Sequence, residues 1–120
     1  MRDHAKLRAF ELADQVAVMI YMLTRDFPKE EIYGMTSQMR RAAVSVASNI
    51  VEGCARESQM EYHRFLDISF GSLKELGYQL SLSKRLGFIK NKDITECETL
   101  ILETEKVLGS LLRSMRKTDI

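Results

Sequence analysis

The sequence predicts an all-α protein, an antiparallel up-down-up-down four-helix bundle, and three observations carry that prediction. Four segments place apolar residues at steps of three and four, the spacing of a single helix face. The breakers fall between the segments, with the single proline, Pro28, and glycines 34, 53 and 87 at segment ends. The 120 residues are 45% apolar and 29% charged, which excludes a disordered or collagen-like chain and gives one domain, residues 1–120, able to bury a core.

The first helix is expected over about 4–26, with Asp3 as its N-cap and Phe10, Ala13, Ala17, Ile20 and Phe27 on its inner stripe. Leu7, Val16 and Leu23 widen that stripe, and Pro28 stops the helix because the residue before a proline is pushed out of the α region. The second helix is expected over about 36–53. Its apolar face (Met39, Ala42, Ala43, Val46, Ala47, Ile50, Cys54) is built mainly of small side chains, so a neighbouring backbone can come close and the helix belongs at the centre of the packing. Gly53 reads as its left-handed terminator.

The third helix, about 58–86, opens on a capping box in which Ser58 caps the amide of Glu61 and Glu61 reaches back. Tyr62, Phe65, Leu66, Leu73, Leu76, Leu80 and Leu86 form its stripe. Ser69, Gly71, Ser72 and Gly77 are poor helix formers, each glycine costing about 1 kcal/mol against alanine. Close approach of a neighbouring helix is the expected reason. Gly87 ends the helix. The fourth, about 92–117, starts at Asn91 or at Asp93 boxed with Glu96. It carries Ile94, Cys97, Ile101, Thr104, Leu108, Leu111 and Met115 as a heptad-like seam.

Net charge is +1, but its distribution is uneven: residues 36–92 carry nine basic and five acidic side chains, and the flanks are slightly acidic. A polyanion site would therefore draw on the middle of the chain. Arg40 and Arg41 lie early in the second helix, where the dipole disfavours cations, which hints at a duty beyond helix stability. The acidic-then-basic ordering of the fourth helix follows the dipole and implies no binding role.

Several chemistries lack their residues. His4 and His63 are the only histidines, and Met60, not a glutamate, stands three before His63, so the Glu-x-x-His ligand set of di-iron bundles is missing. No GxxxxGK[ST] or GxGxxG phosphate loop occurs. Cys54 and Cys97 are unclustered and read as reduced core thiols. No catalysis, metal or cofactor is expected, and a metal-dependent bundle enzyme is disfavoured by the ligand count. No secretory h-region and no 18-residue apolar run occur, so a soluble, cytoplasmic protein without membrane contact is expected.

What remains is a polar set on the central hairpin. Arg41, Ser45, Ser48 and Glu52 share one face of the second helix, Asn49 borders them, Arg56 follows in the turn, and Ser72 and Glu75 lie on the third helix. These residues serve either as salt bridges and caps within one bundle or as a subunit interface in which Arg and Asn fix register. The sequence leaves both open.

The ordered pieces SNIVEG (48–53), ARES (55–58), RFL (64–66), GSLKEL (71–76) and LGFI (86–89), with FPKEE and YGMTSQMRRAAVS upstream, resemble the four-helix-bundle proteins encoded by intervening sequences of bacterial 23S ribosomal RNA genes. That family is related to the accessory variability determinant of diversity-generating retroelements. The resemblance covers nearly the whole chain. It implies a homopentameric, barrel-like ring, no enzymatic motif and, for the retroelement members, a basic surface that binds nucleic acid and a reverse transcriptase. A net charge of +1 departs from those strongly basic members.

The expected function is thus a non-enzymatic homo-oligomer, pentameric by resemblance, whose hairpin forms the subunit contacts and which binds structured RNA or a nucleoprotein. Arg40, Arg41, Arg56, Lys84 and Arg85 are the expected polyanion contacts; Asn49, Glu52, Ser72 and Glu75 the expected structural polar contacts. The alternative is a protein-interaction adaptor without nucleic-acid binding.

Overall fold

Four helices, α1 (Arg8–Thr24), α2 (Met35–Cys54), α3 (Gln59–Arg85) and α4 (Asn91–Thr118), run the length of the bundle. The computed structural model describes residues 2–118, except for the side chains of residues 91, 92, 117 and 118. Each helix packs on its neighbours in sequence and α1 also packs on α4, with no backbone approach across the diagonals among the described residues. That is the closed square of an up-down-up-down bundle, and its 46 × 23 × 22 Å extents match the two longest helices, α3 and α4, of about 40 Å each.

The core lies where the periodicity put it. Ala13, Val16, Ile20, Met39, Ala43, Val46, Ile50, Leu66, Leu73, Leu76 and Leu108 are fully enclosed. Thr104, the polar member of the α4 seam, is also enclosed and donates to the Leu100 carbonyl at 2.7 Å, so its hydroxyl is satisfied inside its own helix.

Local physics moved several boundaries. Asp3 does cap, but it caps a 3-10 turn, His4–Lys6, by accepting from the Ala5 amide at 3.0 Å. Leu7 is then extended (φ −87°, ψ 127°), so α1 starts at Arg8 rather than near residue 4. Its inner stripe is Ala9, Leu12, Ala13, Val16, Ile20 and Thr24, rotated slightly from the expected one, with Phe10, Ala17 and Leu23 half-buried. The connector holds a second 3-10 turn, Lys29–Glu31. In α4, Leu112 is buried and Leu111 only partly so. Leu86 is 55% exposed as the C-cap of α3 and is no core residue.

Three glycine and cap readings need correction. Gly53 is not a left-handed terminator: α2 continues through Cys54, and Gly87 at φ 80° is the one positive-φ glycine among the described residues. A Cβ on Gly53 would lie 3.0 Å from Phe65 Cβ, so the glycine is there to let α3 in. Ser58 Oγ accepts from the Glu61 amide at 3.0 Å, yet the Glu61 carboxylate turns to Arg64 at 3.2 Å, leaving the box half made. With α4 beginning at Asn91, Asp93 sits inside the first turn and does not form the second box; the Asn91 side chain lies outside the described residues.

Candidate functional site

The α2–α3 hairpin is the tightest junction of the bundle, and small residues make it so. Ser69, fully enclosed, donates from Oγ to the Val46 carbonyl at 2.7 Å across the two helices. Ser83 reaches Met39 Sδ at 3.5 Å, which sets the start of α2 beside the end of α3. Ser45 and Ser72 share a hydroxyl–hydroxyl bond of 2.9 Å. Asn49 Nδ2 donates to the Ser45 carbonyl at 2.8 Å and to its Oγ at 2.9 Å. Asn49, Ser45 and Ser72 are therefore one network pinning the two helices in register.

Beside this network lies a shallow cleft of about 300 Å³ lined by Gln38, Arg41, Ala42, Ser45, Ser72 and Glu75. Arg41 is exposed, and among the described residues it makes no ion pair or hydrogen bond. Glu75 accepts from Gln79 Nε2 at 3.2 Å, while Gln79 Oε1 is buried without a partner.

The outer surface of the hairpin is uncharged over its middle. From Ala42 to Val51, α2 has no charged residue. Two charged residues of the facing α3 stretch turn the other way, Asp67 to Arg116 at 3.5 Å and Lys74 to Glu105 at 3.4 Å, both on α4, and a third, Glu75, stands at its end beside Ala42. What α2 and α3 show outward is Val44 (41% exposed), Ser48, Ile68 (42% exposed) and Gly71. Among the described residues outside its own turn of helix, nothing lies within 4 Å of where a Gly71 Cβ would be, contrary to the expectation of an intramolecular close approach. Gly77 meets Ile101 and Glu105 only at ordinary distances of 3.9 Å.

The five expected polyanion contacts do not form one patch. Arg40 turns inward onto α1: its Nε donates to Thr24 Oγ1 at 2.8 Å, its Nη2 to the Tyr21 carbonyl at 3.4 Å, and its guanidinium stacks over the Tyr21 ring at 4.7 Å. A cation that looked misplaced at the start of α2 thus sits at the C-terminal end of α1, where the dipole favours it. Arg41, Lys84 and Arg85 share the end of the bundle where α2 begins and α3 ends, and all three are exposed. Arg85 Nε donates to the Ser81 carbonyl at 3.3 Å, and Lys84 makes no ion pair among the described residues. Arg56 lies at the opposite end, paired with Glu52 at 3.5 Å and stacked on Phe65 at 4.9 Å. Its carbonyl accepts from Arg2, whose guanidinium also covers the Tyr62 ring at 4.0 Å. Arg2 was not singled out from sequence; nothing in a lone N-terminal arginine marks it.

Both thiols are buried. Burial pushes the Cys54 thiol up, with Arg2 pulling it partly back. Burial, with Glu98 and Glu96 close by, pushes the Cys97 thiol up to about 12. Neither is primed as a nucleophile. Among the described residues, no group of three or more His, Cys, Asp or Glu could hold a metal ion, and no helix is long and apolar enough to cross a membrane.

Comparison with known proteins places this geometry in context. No curated protein matches the chain. A solved structure, a protein of unknown function from the S23 ribosomal protein family of Bacteroides thetaiotaomicron, is 22% identical and superposes with a TM-score of 0.77 over 87% of this chain and 97% of that one, which establishes a shared fold. The profile of the 23S rRNA-intervening sequence proteins matches residues 5–110, in agreement with the ordered motifs of the hairpin, and the chain belongs to that family.

Proposed function

We propose that this protein is a non-enzymatic assembly protein that forms a closed homo-oligomer, a pentamer on the family resemblance, through the outer face of the α2–α3 hairpin. The uncharged strip of Val44, Ser48, Ile68 and Gly71 carries this reading. Interface centres are depleted of charge, and a bare glycine on an exposed helix face costs about 1 kcal/mol unless something packs on it. Around the strip, Arg41 and Glu75 at one end and Glu52 at the other form a polar rim, and the Asn49–Ser45–Ser72 network holds the surface rigid. Light scattering of the purified protein tests the reading. A particle several times the 13.8 kDa chain is expected, and Ile68→Lys is expected to reduce it to the monomer. A wild-type monomer refutes it.

A second reading, contact with structured RNA or a nucleoprotein, is supported by the exposed cluster of Arg41, Lys84 and Arg85 at one end, repeated around a ring. The family's association with 23S rRNA genes agrees with it. Anisotropy of a structured 23S rRNA fragment titrated with the protein at several salt concentrations tests this. Changing all three to Gln is expected to weaken binding and to lower the log–log salt slope by about one per lost contact. Arg40→Gln is expected to leave RNA binding intact. Absence of binding even at low salt leaves the adaptor reading, in which the oligomer holds a protein.

A further inference from the structure

On the side of the bundle away from the hairpin, α1 and α4 leave a groove of about 610 Å³. Its floor is apolar and adaptable: Val18 and Met22 are each 57% exposed, and Met19, Leu23 and Leu100 are half-buried beneath them. Its rim is acidic, with Asp14 from α1, Asp26 from the turn that follows it, and Asp93 and Glu96 from α4; among the described residues no Lys, Arg or His lines it. All four carboxylates are exposed, and among the described residues none of them makes an ion pair. From Asp14 to the end of the helix at Thr24 the groove follows α1 for about 15 Å, nearly three helical turns.

We propose that this groove docks a basic amphipathic helix supplied by a protein partner. The floor offers anchor space for apolar side chains at i, i+3 or i+4, and i+7, the pattern by which a helix lies in a groove. Methionine suits such a surface because its unbranched side chain repacks around different partners. The acidic rim selects the charge: lysines and arginines flanking the apolar stripe would meet four exposed carboxylates that make no ion pair among the described residues. A second copy of this chain is a poor occupant, because α1 to α4 each bury their apolar stripe in their own core. The inference does not depend on the α2–α3 contact, which lies elsewhere on the bundle.

The test uses the whole protein and a fluorescein-labelled synthetic leucine–lysine peptide of amphipathic helical pattern, followed by anisotropy at physiological salt. Two control peptides have the same composition scrambled, or lysine replaced by glutamate. The amphipathic basic peptide is expected to bind at least about tenfold tighter than either control, and Asp26→Asn with Asp93→Asn to weaken it by about tenfold. Val18→Ser with Met22→Ser is expected to weaken it by a similar factor, with circular dichroism unchanged because both side chains are already exposed. No binding, equal binding of the scrambled peptide, or indifference to both pairs of substitutions overturns the proposal. So does a change in oligomer size on Val18→Ser with Met22→Ser, which would assign the groove to a second copy.

Discussion

Across α2–α3 the helices approach until serine and glycine are what fits between them, and polar atoms pair from one helix to the other. Across α1–α4, valine, methionine and leucine line an open, acid-rimmed groove. The same four-helix architecture therefore has one rigid, electrically quiet side and one soft, charged side. Rigidity with neutrality suits repeated contact with identical copies; softness with charge suits a partner whose sequence is not this chain's own.

The largest expected effect comes from forcing the tight side apart. Gly53→Val puts a branched Cβ 3.0 Å from Phe65 Cβ and should destabilise the fold by about 3 kcal/mol in urea unfolding. Val18→Leu, an enlargement on the open side, should change stability by less than about 0.5 kcal/mol. Equal effects of the two would erase the contrast between the sides.

The next effect is on pH dependence and belongs to α4. Cys97 stays protonated in the folded protein up to about 12, whereas in the unfolded chain it ionises near 9. Above the lower value the unfolded state has given up a proton that the folded state keeps, so stability is fully present below about pH 9 and falls as pH rises towards 12. The slope from this group is up to about 1.4 kcal/mol per pH unit. Subtracting the alkaline unfolding curve of Cys97→Ala from that of the wild type isolates it.

Smaller effects resolve the polar residues. Arg40→Gln removes the bonds to Thr24 and the Tyr21 carbonyl and should cost about 1 kcal/mol, whereas Arg41→Gln, which breaks nothing within the described chain, should cost close to nothing. A double-mutant cycle of Ser45→Ala and Ser72→Ala should return a coupling of about 0.5–1 kcal/mol, since the two hydroxyls are bonded to each other.

The fold was legible because each helix writes its buried face at steps of three and four, and Pro28 and Gly87 punctuate it. The near misses are rotational. Leu111 against Leu112, and the shift of the α1 stripe to Leu12 and Thr24, differ by one residue step, which periodicity alone resolves poorly. The site was less legible, because its meaning depends on which helices meet and in what register. Arg40 and Arg41 are adjacent and alike in sequence. Only the approach of α1 turns one into a cap on Thr24 and leaves the other on the surface. Gly53 and Gly71 exchange their expected parts: Gly53, expected as a helix terminator, is the one that admits α3, and Gly71, expected at a close approach, faces open space. The α1–α4 groove left no motif at all. It arises from Val18 and Met22 standing just outside the buried stripe, beside acids that arrive from a helix some seventy residues away.

Whether the bare outer face of α2–α3 is a contact between copies is decided at Gly71, by sedimentation velocity over a concentration series that compares the wild type with Gly71→Arg. Among the described residues outside its own turn of helix nothing lies within 4 Å of the new Cβ, so the variant should fold as the wild type does. A wild-type oligomer and a Gly71→Arg monomer with unchanged helicity are expected. An oligomer that survives Gly71→Arg, or a wild type that sediments as a 13.8 kDa monomer throughout, would contradict it.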